Sequence, residues 1–278
     1  MKSHSEVAII LGAMPHEVQS KCFSAKFSAQ YSTLSKAQKI ILHPIADTRY
    51  DDTTLQIQYE IGTELGVATL LARAILSKAV LNISGAKLDF ANDVLKRFSS
   101  FDFGYISSES SLSEEELESI VLACEGVQKC YIVIGNAFAY HKDKELIYEV
   151  LSLLSKVADM QIITNDNALY APHIKEDFVA FFDRLESSLE DLPESNGAFV
   201  YFTLDSLDSV DCKIYATKQF ISLAKSKNGD KITLRSPHKN ISYEVIEVPY
   251  LRGVVGVAQS QDNSIDCYPF HTLQSVKI

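Results

Sequence analysis

The stretch that decides the fold runs from Tyr131 to Thr164 and reads YIVIGNAFAYHKDKELIYEVLSLLSKVADMQIIT. It begins with a short β-branched run that ends at Gly135, continues with a helical pattern from about Lys142 to Val157, and closes with a second apolar run from Gln161. A strand, a helix and a strand at this spacing form a βαβ unit, whose two strands lie parallel in one sheet. The stretch therefore predicts a parallel sheet that is covered on both faces.

The same alternation of strands and helices precedes this unit. Buried strands are predicted for Val7 to Leu11, which is followed by Gly12, and for Lys39 to His43, which is followed by Pro44. Helices are predicted over Thr63 to Val80, over Asp89 to Phe98, and from a capping box at Ser113 and Glu116 to about Gly126. We therefore predict an α/β fold with a parallel, doubly wound, Rossmann-like sheet.

The pattern changes after Leu189 to Gly197, an acidic segment with proline and glycine that has the composition of a linker. Beyond it, helical periodicity is nearly absent and short strand candidates alternate with turns. The candidates are Ala198 to Thr203, Lys231 to Arg235, Ser242 to Glu247 and Gly253 to Ala258. We predict two domains, an α/β domain over 1–195 and a small β-barrel domain over 196–278.

Composition and charge exclude several classes of partner. Apolar residues make up 46% of the 278 residues and charged residues 22%, the balance of an ordinary globular protein. The net charge of −10 and the lack of a Lys or Arg run predict no nucleic-acid partner. The first apolar run is too short for a signal peptide, and eighteen apolar residues never occur in succession, so we predict no direct membrane insertion. The chain is expected to be cytoplasmic.

The five cysteines are scattered and form no CxxC motif, which predicts neither a disulfide framework nor a zinc ribbon. Reduced thiols in or near the core are the expected state. They are Cys22, Cys124, Cys130, Cys212 and Cys267.

Histidines and acidic residues supply the first candidate sites. His43 ends a predicted strand, where open α/β sheets bind ligands, and Asp47 and Arg49 follow closely. A structural role is favoured for His43, since the sequence places no second His, Cys or Ser at a useful spacing. His16 and His141 follow the two glycine-ended strands, but no carboxylate or thiol completes a metal site with them. The acidic run at 114–116 fits a solvated helix start.

Two strand ends share a local pattern. Ala8 to Gly12 and Tyr131 to Gly135 are both buried strands that end at glycine and turn into a loop of small residues. Backbone N–H groups at Gly12 and Gly135 would suit a phosphate, although neither segment extends to a dinucleotide fingerprint or a P-loop lysine. We predict no catalytic, cofactor-binding or metal-ligating residue in this chain.

Two sequence segments nevertheless resemble a known family. They are Ile41-Leu42-His43-Pro44-Ile45-Ala46-Asp47 and Gln58-Tyr59-Glu60-Ile61-Gly62-Thr63-Glu64-Leu65-Gly66-Val67. Together they resemble the C-terminal, molybdopterin-oxidoreductase-like region of the G subunit of bacterial NADH-quinone oxidoreductase, respiratory complex I. The likeness is to lineages whose complex lacks the usual NADH-binding module. Residues 103–110 and the unit from Tyr131 to Val157 agree with it.

The C-terminal part resembles the small double-psi domain that closes molybdopterin enzymes. Residues 228–237 (NGDKITLRSP) are similar to its turn and strand, and 253–258 (GVVGVA) to its following strand. The ending from Tyr268 to Ile278 resembles the tail of the G subunit. The cysteine ligands and pterin-binding glycine loops of the full-length proteins have no counterpart here.

The resemblance implies a shortened, cofactor-free relative of the G subunit, acting as a peripheral subunit in the structural or electron-input arm of complex I. Such a subunit would have no self-contained active site. Its partners would be other peripheral-arm subunits, which would carry the iron–sulfur clusters. The complex would attach it to the inner membrane on the cytoplasmic side. Two alternatives stay open. One is a stand-alone α/β protein that binds a small ligand near Gly12, His43 and Gly135, and the other is a fragment of a molybdopterin oxidoreductase that contacts a cofactor through its barrel.

Overall fold

The structure is a computed structural model that describes residues 5–14, 34–50, 54–164, 177–203, 212–235, 240–259 and 268–273. Three residues considered above, His16, Cys22 and Cys267, lie outside the described residues, as does the tail beyond Leu273.

The first sheet is fully parallel and has the strand order β3-β2-β1-β4-β5. This order confirms the α/β, Rossmann-like class, and β4 pairs with β5 as the βαβ pattern predicts. The strands are β1 (Glu6–Leu11), β2 (Gln38–Leu42), β3 (Leu55–Ile57), β4 (Lys129–Ile134) and β5 (Gln161–Ile163). The sequence patterns located β1, β2, β4 and β5 but not the three-residue edge strand β3.

Seven helices of the described segments belong to this part of the chain. They are α1 (Glu64–Ala79), α2 (Ala86–Phe98), α3 (Phe103–Ser110), α4 (Glu114–Cys124), α5 (Asn136–Ala139), α6 (Lys144–Ala158) and α7 (Phe178–Leu189). The capping box is confirmed, since the Ser113 side chain accepts from the N–H of Glu116 and the Glu116 carboxylate accepts from the N–H of Ser113.

Both faces of the parallel sheet are buried. One face, which includes Ile9 and Ile132, packs in the same core as α1 and α6, two helices that also contact each other. On the other face Ile10 and Val133 are fully buried with Leu34, from a short 3-10 helix at Leu34–Lys36. Burial on both faces explains why these strands read as continuous apolar runs.

The second sheet is a curled, mixed six-stranded sheet, a half-barrel, in the order β11-β6-β10-β7-β9-β8. Its strands are β6 (Phe199–Thr203), β7 (Lys213–Ala216), β8 (Lys231–Arg235), β9 (Asn240–Glu247), β10 (Val255–Gln259) and β11 (Phe270–Thr272). The sequence patterns missed β7, β11 and a six-residue helix α8 (Lys218–Leu223), which begins where the Thr217 side chain accepts from the N–H of Phe220. A helix of six residues is too short to show helical periodicity in the sequence.

The two sheets share a hydrophobic core. Tyr201 of β6 and Phe270 of β11 belong to the same buried cluster as Ile9 and Leu42 of the parallel sheet. A second, smaller core lies within the half-barrel, around Phe220 and Val245. Across the described segments, none of the helices combines the length and apolar character that crossing a bilayer requires.

Candidate functional site

The carboxyl ends of β1 and β4 meet at the point where the strand order reverses, which is where open α/β sheets bind ligands. In this protein the two strand ends lie in close contact with each other. A Cβ atom added at Gly135 would lie 2.6 Å from both Ala13 N and Gly12 O, and one added at Gly12 would lie 2.7 Å from Ala137 Cβ. Gly12 also has a φ of +64°, so only glycine suits the turn and the close contact.

The backbone N–H groups considered for phosphate binding are used within the fold. The N–H of Gly12 donates to Leu42 O (2.9 Å), that of Gly135 to Leu11 O (2.7 Å) and that of Ala137 to Gly12 O (3.2 Å). Asn136 is buried, and its Oδ1 accepts no hydrogen bond from the described residues. The two glycine-ended strands are therefore hydrogen-bonded to each other at their carboxyl ends, and Asn136 lies buried beside them.

His43 lies between the two sheets. Its ring meets Tyr201 edge-on at 5.1 Å between centroids and packs at 5.8 Å from Phe270, while Nδ1 accepts from the N–H of Ile45 (3.0 Å). The side chain is 1% exposed. These contacts pack the His43 ring between the parallel sheet and the half-barrel.

Asp47 and Arg49 belong to the loop between β2 and β3, which contacts the half-barrel part of the chain. The buried Asp47 carboxylate accepts from the backbone N–H and the guanidinium of Arg49, whose guanidinium lies 3.9 Å from the ring centroid of Tyr250. Asp47 also forms an isolated antiparallel bridge with Leu251. The loop therefore binds the second half of the chain through both backbone and side chains.

A buried polar group at the same edge of the sheet was not identified from the sequence. We call it the Glu64 cluster: Tyr59, Glu64, His141 and Tyr268. Each member lies beside or within a different element: Tyr59 follows β3, Glu64 begins α1, His141 lies between α5 and α6, and Tyr268 precedes β11. The cluster therefore collects one residue from the half-barrel and three from the α/β part.

Glu64 owes its position to the turn before α1. Gly62 has a φ of +89°, and the Thr63 hydroxyl donates to Glu60 O (2.7 Å), so the chain reverses and directs the first helical side chain inward. Glu64 is 0% exposed. Its Oε1 accepts from the hydroxyl of Tyr268 (2.6 Å) and from that of Tyr59 (3.4 Å).

His141 faces the other carboxyl oxygen of Glu64. Its Nε2 lies 3.5 Å from Glu64 Oε2 and 3.0 Å from Gly62 O, and its Nδ1 accepts from the N–H of Asp143 (3.0 Å). An acceptor at Nδ1 leaves the proton on Nε2, which donates to Gly62 O. Burial lowers the pKa of His141, so its imidazole is neutral at pH 7.

Burial raises the pKa values of the acidic groups in the Glu64 cluster. It raises the pKa of Glu64 to about 8, although the hydrogen bond from Tyr268 acts in the opposite direction. Burial also raises the pKa of Tyr59 and of Tyr268 well above the usual value of a phenol. At pH 7 the cluster is therefore a set of neutral groups, with a proton held on the Glu64 carboxyl.

Tyr268 connects the two parts of the chain at this cluster. Besides donating to Glu64, its hydroxyl accepts from the N–H of Gly62 (2.9 Å). Nearby, the Ser195 hydroxyl donates to the Glu60 carboxyl group, whose pKa is raised by burial and then by the charge of Glu109. The cluster therefore joins the two sheets through hydrogen bonds to Glu64, with Tyr59, Glu64 and His141 buried and Tyr268 partly exposed.

Three cavities lie away from this cluster. One of about 500 Å³ lies between the ends of α1 and α4 and the amino end of β4, and another of about 390 Å³ lies between α1 and α4. A third, of about 280 Å³, separates α3 from α7. No group of three or more His, Cys, Asp or Glu side chains suited to a metal ion occurs among the described residues.

Comparison with known proteins adds no family to this picture. No protein-family model matches the sequence, and no curated protein matches it significantly.

Proposed function

We propose that this chain is a peripheral subunit of a proton-pumping NADH-quinone oxidoreductase, in which it has a structural role and carries no redox group. One observation carries the proposal: at the point where the strand order reverses, the two strand ends pack closely against each other, Gly12 against Ala137 and Gly135 against Ala13. Close packing of this kind supports a structural role in our proposal.

The resemblance to the G subunit supplies the identity of the assembly. The two segments that carry it are 41–47, which covers the end of β2 and the loop after it, and 58–67, which covers the turn before α1 and its first residues. Those segments carry Asp47, which pairs with Leu251, and Glu64, which accepts from Tyr268. The segments that carry the resemblance thus include residues that join the half-barrel to the parallel sheet. A scaffold protein needs such contacts to hold its two parts together.

The partners in this proposal are other subunits of the peripheral arm, which would hold the iron–sulfur clusters. The net charge of −10 favours a basic neighbour or a basic electron donor at the exposed surface, since opposite charge steers association. Exposed acids at the start of α4, such as Glu114 and Glu118, are part of that surface. The complex would hold the chain on the cytoplasmic side of the inner membrane.

The first test is native gel electrophoresis of gently solubilised membranes, with an antibody against this chain. The proposal predicts that the chain migrates in the band that has NADH-quinone or related quinone-reductase activity. In a strain that lacks another peripheral-arm subunit, the chain should leave that band. Migration as a free protein in both strains would contradict the proposal.

The stand-alone ligand-binding alternative and the cofactor-contacting fragment have a separate test. Absorption spectroscopy and metal analysis of the purified chain would detect a bound flavin, nucleotide, pterin or metal. The proposal predicts a colourless, metal-free protein. A stoichiometric chromophore would favour one of the alternatives, whichever band the chain occupies.

A further inference from the structure

Two of the scattered cysteines come together at the amino end of the parallel sheet. Cys124 is the last residue of α4, and Cys130 is the second residue of β4. Gly126, with a φ of +69°, reverses the chain between them. Both cysteines line the same cavity, their thiol groups are close enough to interact, and both side chains are partly exposed.

The pair lies in a cavity that a small reagent can enter. The cavity of about 500 Å³ is lined by Cys124 and Cys130 and by apolar side chains that include Ile75, Val121 and Met160. At its border Lys78 and Glu125 form an ion pair of 2.6 Å, and both side chains are more than a third exposed. The thiols are therefore reached from solvent through a pocket with an apolar wall and a charged border.

The contact between the thiols makes them chemically unequal. The hydrogen bond from Cys124 lowers the pKa of Cys130, while the same hydrogen bond and burial raise the pKa of Cys124. The first thiolate of such a pair forms at Cys130 and is stabilised by the remaining S–H group. A thiolate next to a protonated thiol is the arrangement in which one sulfur attacks an oxidant and the other completes a disulfide.

We propose that Cys124 and Cys130 form a reversible dithiol–disulfide pair whose oxidant is hydrogen peroxide that enters through this cavity. The Cys130 thiolate attacks one peroxide oxygen, the O–O bond breaks, and hydroxide leaves, which gives a sulfenic acid on Cys130. The Cys124 sulfur then attacks that sulfur, forms the S–S bond and releases water. Overall, two thiols and one peroxide give one disulfide and two waters, and the protein loses two electrons and two protons.

This chemistry goes beyond the proposed structural role and does not depend on it. A disulfide would link the last residue of α4 to the second residue of β4, on the wall of the cavity. The two cysteines are separated in the chain by residues 125–129. In a reducing compartment such a disulfide would be transient and would form in response to an oxidant.

The test uses the purified, reduced full-length chain and hydrogen peroxide, followed by blocking of free thiols and peptide mass spectrometry. The expected product is a crosslinked peptide pair that contains Cys124 and Cys130, has lost two hydrogen atoms and returns to two thiols with dithiothreitol. Cys124→Ser and Cys130→Ser should each lose this crosslink completely. Cys212→Ser, at an exposed position of the half-barrel, should retain it.

A parallel reaction in denaturant shows whether the native fold directs the pairing. The native chain should give the Cys124–Cys130 pair in excess over every other pair, and the denatured chain should give a mixture of pairings. Oxidation of Cys130 to sulfinic acid without a crosslink would overturn the proposal. So would a native chain whose main crosslinks involve Cys22, Cys212 or Cys267.

Discussion

The hydroxyl group of Tyr268 donates a hydrogen bond of 2.6 Å to the carboxyl group of Glu64, which is fully buried at the start of α1. The two residues are separated by 204 positions in the chain. This bond joins the segment before β11 to the carboxyl edge of the parallel sheet, and it is the polar centre of the contact between the two halves.

Replacing Tyr268 with phenylalanine tests the contribution of that hydroxyl. Tyr268→Phe keeps the ring but leaves Glu64 Oε1 and the N–H of Gly62 each without one hydrogen bond. We expect the free energy of unfolding to fall by roughly 1–3 kcal/mol, the cost of unsatisfied buried polar groups. Urea denaturation of the purified chain at pH 6 measures it.

The matched control is Tyr105→Phe, at a partly buried tyrosine of α3. Its stability should stay within about 0.5 kcal/mol of the wild type. Equal losses in both variants would mean that the Tyr268 hydroxyl has no special role.

Glu64→Gln tests the proton held in the cluster. The folded-state pKa of Glu64 is raised from 4.5 to about 8, so between these values the folded chain keeps a proton that the unfolded chain has lost. Stability from this group is therefore complete below pH 4.5 and is lost as the pH rises towards 8, with a slope of about 1.4 kcal/mol per pH unit. Glu64→Gln keeps a neutral side chain at every pH and should flatten that slope.

The measurement is a series of urea titrations between pH 5 and pH 9 for both proteins. The difference in slope should be confined to the window between pH 4.5 and 8. Parallel curves for the two proteins would mean that Glu64 ionises as an ordinary surface carboxylate does.

Gly135→Ala tests the close contact between the two strand ends. The φ of Gly135 is −89°, which alanine adopts readily, but the new Cβ would lie 2.6 Å from Ala13 N and Gly12 O. These backbone atoms directly follow β1 and cannot move without disturbing the hydrogen bonds of Gly12 to Leu42 and Ala137, so we expect a loss of at least about 2 kcal/mol or failure to fold. Gly104→Ala in α3, where the nearest atom is the Asp102 carboxylate at 3.3 Å, should change stability by less than about 1 kcal/mol.

Ser113→Ala tests the start of α4. It removes the acceptor for the N–H of Glu116 and should lower stability by about 1 kcal/mol. Ser119→Ala in the same helix removes an exposed hydroxyl that donates to Glu115 O, and should have almost no effect. Thermal unfolding of the two variants compares them directly.

Features set by local sequence could be predicted. The strands β1 and β4 were visible because burial on both faces makes them continuously apolar. The similarity noted between Ala8 to Gly12 and Tyr131 to Gly135 corresponds to neighbouring strands, since Ala8 pairs with Tyr131 and Leu11 with Ile134. The capping box at Ser113 was visible because its two partners are three residues apart.

Features that depend on distant residues could not be predicted in this way. Glu64 stands in the sequence as one more acid at the start of a helix, and only the fold brings Tyr268 to it. Cys124 and Cys130 have no motif spacing, and their contact results from the reversal between α4 and β4. His141 was considered as a metal ligand, but both of its ring nitrogens are engaged with backbone groups.

The most direct measurement for the central claim is affinity purification of the tagged chain from gently solubilised native membranes, with quantitative mass spectrometry of the proteins that accompany it. We expect recovery of peripheral-arm subunits of NADH-quinone oxidoreductase in fixed proportion to the chain, and their loss from an untagged control. Recovery of the chain alone, from membranes in which the complex is intact, would contradict the account.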